Sequence, residues 1–274
     1  MWSGVAVGEA GIAEKDREES PSLTDTYVQN DQPEGVPPLE LTGERTLPDV
    51  PEENYWYQRH LAVYQWIARQ VAGKTVVDLA CGEGYGSAVL AETAQSVVGV
   101  DANPEAFEHA RAKYAQVVFE RNMIELWQGD VDCVVFLQTI EHIQDPDAML
   151  AHVRELIEPD GVAYVSTPNV LTLAPKGEER SGNPWHVKEY RAGEFRALCD
   201  RHFGSVELLG LFHARKLRAH QVAIERLGWD AIHTGLRITK PFYDRFTPAI
   251  SVHDFALRAR DLDRALDFVA VLRP

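Results

Sequence analysis

Short apolar runs alternate along the chain with longer segments in which apolar residues recur at helical spacing. The apolar runs are rich in β-branched residues and predict strands at residues 76–80, 96–100, 117–120, 133–138, 162–166, 205–211 and 265–272. The amphipathic segments predict helices at residues 53–71, 87–94, 104–114, 147–157 and 192–201. Such an alternation is typical of a doubly wound α/β sheet, which the last strand closes.

The two ends of this pattern differ from its centre. Residues 1–40 contain nine acidic and two basic residues without a sustained period, so we expect a disordered acidic tail before a single domain over residues 41–274. Residues 41–72 predict an N-terminal helical cap on that domain. Residues 214–250 are largely helical in pattern and fit no position of the sheet, so they predict an insertion that forms either a lid or the face of a homodimer.

Charge and cysteine content narrow the class of protein. The 274 residues carry a net charge of −15 and offer no extended basic face, which opposes binding to nucleic acid. The three cysteines are widely spaced and form no CxxC pair, which indicates reduced thiols in a cytoplasmic protein. No apolar run reaches membrane-spanning length, so we expect no membrane partner.

The first predicted strand ends at Asp78 and is followed by glycines at every second position, Gly82, Gly84 and Gly86. A strand, a glycine turn and a helix in this order let a ligand approach bare backbone at a helix N-terminus. A dinucleotide-binding turn carries its third glycine one position later, where Ser87 stands. A nicotinamide-binding oxidoreductase therefore remains an alternative on this motif alone.

Polar residues follow two further strands at the edge where open α/β sheets bind ligands. Asp101 comes about twenty residues after the glycine turn, where an acid accepts hydrogen bonds from ribose hydroxyls. The fourth strand ends in Gln138-Thr139-Ile140-Glu141-His142. This cluster predicts a reacting group beside an adenosine ligand.

Taken together, these residues resemble the class I S-adenosylmethionine-dependent methyltransferases. The resemblance implies a Rossmann-like, seven-stranded sheet with helices on both faces and an antiparallel last strand, and S-adenosylhomocysteine as product. The implied cofactor contacts are Asp78, Ala80, Gly82 and Gly84 in the first motif, Asp101 with Ala102 at the ribose, Asn122 and Met123 at the adenine, and Gln138 at the acceptor side.

A narrower resemblance covers most of the chain after Leu41. It is to actinobacterial, notably mycobacterial, enzymes that O-methylate the sugars of polymethylated polysaccharides. It is carried by Thr42-Gly43-Glu44-Arg45-Thr46, Asn54-Tyr55-Trp56-Tyr57, Ser166-Thr167-Pro168-Asn169, Asn183-Pro184-Trp185-His186 and Leu266-Asp267-Phe268. It implies a hydroxyl of a sugar or oligosaccharide as acceptor. Another small molecule or an RNA 3′ end is the alternative acceptor.

Methyl transfer to a hydroxyl benefits from a general base, and His142 is the leading candidate because histidine titrates near neutrality. A purely structural role, capping the turn after the strand, is the alternative. Some class I relatives hold a divalent metal with Glu-x-x-Glu-His and a later histidine. That resemblance implies a magnesium or manganese site formed by Glu141, His142 and His186, with Gln138 standing where those relatives carry a further glutamate.

The remaining candidates each have a structural alternative. Arg59 and His60 lie in an aromatic cluster before the glycine turn and either reach the cofactor, with Arg59 on its carboxylate, or serve packing and surface pairing. Asn169 binds sugar hydroxyls or shapes a turn. Trp185 or Tyr190 stacks on a pyranose or packs in the core, and His213 ends a strand at the same sheet edge.

Overall fold

The computed structural model describes residues 28–29, 32–41, 45–175, 177–227, 242 and 245–274. Within them, eight strands form one sheet: β1 (Thr75–Leu79), β2 (Ser96–Asp101), β3 (Val118–Arg121), β4 (Val131–Leu137), β5 (Ile157–Pro168), β6 (Ser205–His213), β7 (Phe255–Arg258) and β8 (Asp267–Arg273). Their spatial order is β3-β2-β1-β4-β5-β8-β6-β7. The order reverses between β1 and β4, which creates a crevice at the carboxyl ends of the strands.

Strands β1 to β5 pair in parallel, and β8 lies antiparallel between β5 and β6. The expected α/β class is confirmed. The expected number of strands was wrong, since β7 adds an eighth strand, antiparallel to β6. At four residues, β7 is too short to show a clear alternation in the sequence.

Helices cover both faces of this sheet, because its central strands are apolar on both sides. On one face Val77 and Leu79 of β1 share a core with residues such as Leu150, and on the other Val76 shares a core with residues such as Ile67. The helices are α1 (Asn54–Ala68), α2 (Tyr85–Ala91), α3 (Pro104–Lys113), α4 (Pro146–Glu155), α5 (Val170–Leu173), α6 (Ala192–Cys199) and α7 (Arg215–Leu227). None of the helices in the described part of the chain is long and apolar enough to cross a membrane.

The structure corrects the predicted boundary between tail and domain. Val28 forms a β-bridge with Glu40, and Leu39 is buried in a small cluster with Leu47 and Val50. The described residues between 28 and 40 therefore fold onto the domain, because these few apolar side chains find partners beyond residue 41. Residues 1–27 lie outside the described residues.

Helix α1 lies within residues 41–72, the segment predicted as an N-terminal cap, and the role of that segment as a cap stays a prediction. Helix α7 occupies the first part of the predicted insertion over residues 214–250 and packs on β6. Residues 228–241 and 243–244 of that insertion lie outside the described residues, so its role as a lid or a dimer face stays a prediction.

Candidate active site

A cavity of about 670 Å³ opens at the carboxyl ends of β1, β2, β4 and β5. This is the crevice that the sheet order creates. The predicted residues that line it are His60, Ala80, Gly82, Asp101, Ala102, Gln138, His142 and Trp185. The structure thus brings together side chains from five separate segments of the sequence.

The turn after β1 forms one wall of the cavity. Ala80 and Gly82 both adopt left-handed backbone, with φ of 57° and 56°, so the chain reverses sharply between the strand and α2. The Gly82 amide donates to Asp101 Oδ2 over 2.8 Å, and the Asn103 amide donates to Oδ1 over 2.8 Å. Two backbone donors therefore fix the Asp101 carboxylate at the cavity wall, where its remaining lone pairs suit ribose hydroxyls.

Gly84, in the same turn, lies behind the cavity wall. Its φ is 93°, and a Cβ at this position would press on Ala110 and Phe119. The glycine lets the turn pack closely against α3 and β3. The structure thus gives Gly84 a packing role, and its contact with the cofactor stays a prediction.

Asp78 is also placed behind the turn. Its side chain is fully buried and accepts hydrogen bonds from Ser87 Oγ over 2.6 Å and from the Tyr64 hydroxyl over 3.2 Å. Burial raises the pKa of Asp78 to about 7, although both hydrogen bonds oppose that rise. Asp78 therefore ties α1 and α2 to the end of β1, and it positions the turn without lining the cavity.

The predicted adenine contacts lie at the end of β3. The Asn122 amide donates to the Asp101 carbonyl over 3.3 Å, and Met123 is 51% exposed. Neither residue lines the cavity, which at this end is bordered by Ala102 and Asn103. Their role at the adenine stays a prediction.

His142 lies on the opposite wall, in the helical turn Ile140–His142 that follows β4. The preceding Gln138 has a left-handed backbone (φ 52°), and its side-chain amide donates to Ser166 Oγ over 2.9 Å. His142 Nδ1 lies 2.9 Å from the Trp185 carbonyl oxygen. Because a carbonyl only accepts, Nδ1 carries the hydrogen, and in the neutral ring Nε2 carries the lone pair.

Glu141 and His186 lie beside His142. The ring centroids of His142 and His186 are 5.0 Å apart. Each of the three residues offers one potential ligand atom, and these three atoms all lie within 4.8 Å of one another. His186 Nδ1 donates to Glu189 over 2.7 Å, and His186 Nε2 accepts from the Asn183 amide over 3.1 Å. The structure therefore assembles the predicted metal-ligand group.

Glu141 is the unusual member of this group. It is 1% exposed, and within the described residues its Oε2 atom is buried without a hydrogen-bond partner. Burial raises the pKa of Glu141 to about 8. A buried, unsatisfied carboxyl oxygen is costly, so the arrangement suits a further ligand or cation at this position.

The structure corrects the role predicted for Arg59. Its guanidinium forms a bidentate ion pair with Asp267, with Nη2 2.5 Å from Oδ1 and Nε 2.7 Å from Oδ2. Nη2 also donates to the Leu266 carbonyl over 2.9 Å. Arg59 is buried and does not line the cavity, because it holds α1 against β8.

Three predicted acceptor contacts also have structural roles. Asn169 is fully buried, caps α5 and donates to the carbonyl of Ala265 over 2.8 Å. Tyr190 is fully buried against Phe195. His213 accepts from the Tyr55 hydroxyl over 2.8 Å and lies outside the cavity wall. The turn and packing alternatives apply to these residues, and only Trp185, 50% exposed, faces the cavity.

Several lining residues carried no predicted role. Arg45, Ser166 and Asp267 line the cavity and stand in the motifs of the narrower resemblance. Those motifs singled out the segments but indicated no role for these three residues. Thr46 Oγ1 lies 3.2 Å from His60 Nδ1, and burial lowers the pKa of His60 to about 4. Contacts of this kind join segments that are separated in the chain, so they produce no local sequence pattern from which they could be predicted.

Comparison with known proteins agrees with this geometry. The family of methyltransferase domains matches residues 55–222, more than half of the chain. A probable S-adenosylmethionine-dependent methyltransferase from Mycolicibacterium smegmatis is 37% identical over 250 residues, which cover 86% of this chain and 96% of that protein. A counterpart from Mycobacterium tuberculosis is 36% identical and covers 86% of this chain and 90% of its own length.

More distant relatives share part of the chain or the fold alone. A ubiquinone biosynthesis O-methyltransferase from Pseudomonas paraeruginosa is 33% identical over 115 residues, covering 38% of this chain and 49% of that protein. The crystal structure of a possible histamine N-methyltransferase from Thermotoga maritima superposes with a TM-score of 0.56 at 13% identity, covering 82% of this chain and 96% of that one. The chain therefore belongs to the class I S-adenosylmethionine-dependent methyltransferases.

Proposed function

We propose that this enzyme transfers a methyl group from S-adenosylmethionine to a hydroxyl of a sugar or oligosaccharide, with His142 as the general base. The observation that carries the proposal is the His142 imidazole on the cavity wall, with its Nδ1 hydrogen held by the Trp185 carbonyl. Family membership decides against the nicotinamide-dependent alternative.

The cavity fits the cofactor. The left-handed turn at Ala80 and Gly82 brings bare backbone to the cavity wall. Asp101, at the end of the neighbouring strand β2, presents a carboxylate that the Gly82 amide holds in place. Arg45 and His60 line the same space. When bound, S-adenosylmethionine supplies an electrophilic methyl group on its sulfonium.

The acceptor hydroxyl is too weakly acidic to ionise by itself at neutral pH. His142 Nε2, the lone-pair nitrogen of the neutral ring, would take the hydroxyl proton while the oxygen bonds to the methyl carbon and the methyl–sulfur bond breaks, which leaves S-adenosylhomocysteine as a neutral thioether. The Trp185 carbonyl keeps the ring in the correct tautomer and orientation and stabilises the imidazolium that results. A positioned base of this kind contributes roughly 10²–10⁴-fold to the rate.

The wall around His142 supports a saccharide acceptor. Trp185 is half-exposed and offers an apolar face on which a pyranose ring can stack, and Thr139 and Gln144 offer hydrogen-bonding groups. A flat apolar face beside several polar groups matches the two kinds of surface that a sugar ring presents.

Transfer of labelled methyl from the cofactor, screened across acceptors, tests this proposal. Mannosides, glucosides and partly methylated oligosaccharides are expected to accept the label, while a catechol and an RNA 3′ end are not. Labelling of the catechol or the RNA alone would refute the sugar assignment and leave the methyltransferase assignment intact.

The role of His142 needs a separate measurement. We expect His142→Ala to bind S-adenosylhomocysteine within about threefold of wild type and to lose at least about tenfold in kcat. His253→Ala removes an exposed histidine that does not line the cavity and is expected to retain full activity. Near-normal turnover in His142→Ala would show that the histidine is not the base.

One observation favours a metal-dependent version of the same reaction. The two histidines and the buried Glu141 carboxyl group, with its unsatisfied oxygen, form a two-histidine, one-carboxylate set of the kind that holds a divalent ion, once the Asn183 amide releases His186 Nε2. We propose Glu141, His142 and His186 as the residues that would hold the ion. A bound divalent ion would polarise the acceptor hydroxyl.

Chelation distinguishes the two versions. If a metal is held, thorough chelator treatment abolishes turnover, magnesium or manganese restores it, and Glu141→Gln lowers the affinity for manganese in titration calorimetry. Unchanged turnover after chelation, with no measurable manganese binding, would leave His142 acting as a base without a metal.

A further inference from the structure

The turn that binds the cofactor contains a buried acid, Glu83, between Gly82 and Gly84. Glu83 is among the residues that line the cavity, yet it is only 1% exposed and its side chain is buried. A buried carboxylate is stable only when opposite charges and hydrogen bonds compensate it. Its partners therefore show what the turn is attached to.

Helix α3 supplies most of these partners. His109 Nε2 lies 2.9 Å from Glu83 Oε1, Lys113 Nζ lies 2.8 Å from the same oxygen, and the Tyr114 hydroxyl donates to Oε2 over 2.9 Å. His109 Nδ1 lies 2.6 Å from the Pro37 carbonyl oxygen. The His109 ring thus bridges the Glu83 carboxyl group and the Pro37 carbonyl, with one ring nitrogen at each oxygen.

The same cluster also holds the segment that precedes α1. We define the strap as the described residues 28–29, 32–41 and 45–50. His109 binds the strap at Pro37, Lys113 binds it at Asp49 over 3.0 Å, and Gln29 donates to the Pro48 carbonyl over 2.9 Å. The ion-pair cluster is therefore shared between the cofactor turn, α3 and both ends of the strap.

The strap brings a positive charge into the cavity. Arg45 lies between these attachment points and is the one arginine or lysine among the described residues that lines the cavity. Arg59, the arginine that the sequence predicts at the cofactor, instead forms a buried ion pair with Asp267. A cofactor with an α-carboxylate would gain a charge-assisted hydrogen bond from such a cation.

We propose that the strap is part of the cofactor site. The cluster of Glu83, His109 and Lys113 latches the strap onto the glycine turn, and the latched strap holds Arg45 against the amino-acid end of the cofactor. Glu83, His109 and Lys113 are positioning residues, because they act through the strap and Arg45.

Binding of two adenosine thioethers tests the latch. S-adenosylhomocysteine carries the α-carboxylate, whereas 5′-methylthioadenosine lacks the amino-acid part. We expect Arg45→Gln, His109→Gln and Lys113→Met each to weaken S-adenosylhomocysteine about tenfold in titration calorimetry and to change 5′-methylthioadenosine less than twofold. His202→Gln removes a histidine–carboxylate pair with Asp147 on the far face and is expected to change neither ligand.

A double variant separates positioning from general damage. If the latch acts through Arg45, His109→Gln combined with Arg45→Gln binds S-adenosylhomocysteine no more weakly than Arg45→Gln alone. Equal weakening of both ligands, additive losses in the double variant, or unchanged binding in all three single variants would each overturn the proposal. No acceptor is present in these experiments, so their outcome is independent of the hydroxyl-transfer chemistry.

Lys113→Met guards the test against a folding failure. Lys113 is more exposed than His109, with 13% of its side chain accessible, so its replacement by an apolar chain of similar length leaves the core intact. Should His109→Gln prove unstable, the same ligand comparison and double variant with Lys113→Met and Arg45→Gln decide the question.

Discussion

The ion pair between Arg59 and Asp267 offers a direct test of how α1 is held on the sheet. The two residues are 208 positions apart in the chain and form a bidentate pair whose side chains are 5% and 1% exposed. Asp267→Asn keeps the shape of the side chain and removes its charge. The guanidinium of Arg59 is then left buried with a weaker partner.

The structure sets the size of the effect. Breaking a buried pair by removing one partner costs about 3–5 kcal/mol, because the other charge remains in a low-dielectric surrounding. For a domain of this size each kcal/mol lowers Tm by about 2–4 °C, so Asp267→Asn is expected to lower Tm by roughly 6–20 °C. Replacing both partners by Arg59→Met with Asp267→Leu removes both charges and is expected to recover most of that loss.

Differential scanning fluorimetry and urea unfolding of the wild type, the single variants and the double variant measure this. A double variant clearly more stable than either single variant is expected, although the Leu266 carbonyl then lacks its donor from Arg59. The reasoning is refuted if Asp267→Asn unfolds like the wild type, or if the double variant is as unstable as the sum of the two single variants.

The same variants distinguish a structural arginine from a cofactor ligand. Arg59→Met, studied well below its Tm, is expected to bind S-adenosylhomocysteine within about threefold of wild type, because Arg59 does not line the cavity. A loss of tenfold or more in a variant of normal stability would restore the contact with the cofactor carboxylate that the sequence predicts.

Three further predictions concern the turn and the sheet edge. Burial raises the pKa of Asp78 from 3.8 to about 7, so its contribution to stability is present at low pH and is lost as the pH rises through that interval. Urea unfolding should therefore show a free energy of unfolding about 2.5 kcal/mol lower at pH 8 than at pH 5, a decrease that Asp78→Asn abolishes. A Cβ at Gly86 would overlap the Tyr64 ring, so Gly86→Ala is expected to lower the free energy of unfolding in urea by about 1–3 kcal/mol. Gly193→Ala, in open space on α6, should be neutral or stabilising, and equal effects of the two substitutions would contradict the role of packing at Gly86. Burial lowers the pKa of His213 from 6.5 to about 4, so the stability that the neutral ring provides above pH 6.5 is lost as the pH falls towards 4. Between pH 7 and pH 5 the free energy of unfolding of His213→Gln should therefore fall by about 2 kcal/mol less than that of the wild type.

Much of the fold follows from local pattern. The first strand of the sheet, for example, is predicted at residues 76–80 and found at Thr75–Leu79, because a buried parallel strand must be apolar on both faces. The pattern fails where an element is short or where its stability comes from elsewhere. Strand β7 has four residues and pairs only along one edge, and the residues around Leu39 are ordered by partners such as Leu47.

The candidate site residues also differ in how far their positions follow from local pattern. Gly82, Asp101 and His142 were predictable because each follows a strand directly, and the carboxyl ends of parallel strands meet at one edge. Glycine spacing also predicts a sharp turn, which the left-handed backbone of Gly82 supplies. In these cases the position in the chain determines the position in space.

The polar residues for which the sequence left two roles open have their partners far away in sequence. Arg59 pairs with a residue 208 positions later, and the Asn169 side chain binds a carbonyl 96 positions later. A motif shows that such a residue is needed, but a cofactor ligand and a buried structural pair require the same charge and the same hydrogen-bonding groups. Only the fold decides between them, because it determines whether a side chain meets the cavity or another element first. Arg45 is a further example, because its motif indicates no role, whereas the fold of the strap places it at the cavity wall. The role of a polar residue in this family is therefore best inferred after its nearest buried charge has been identified.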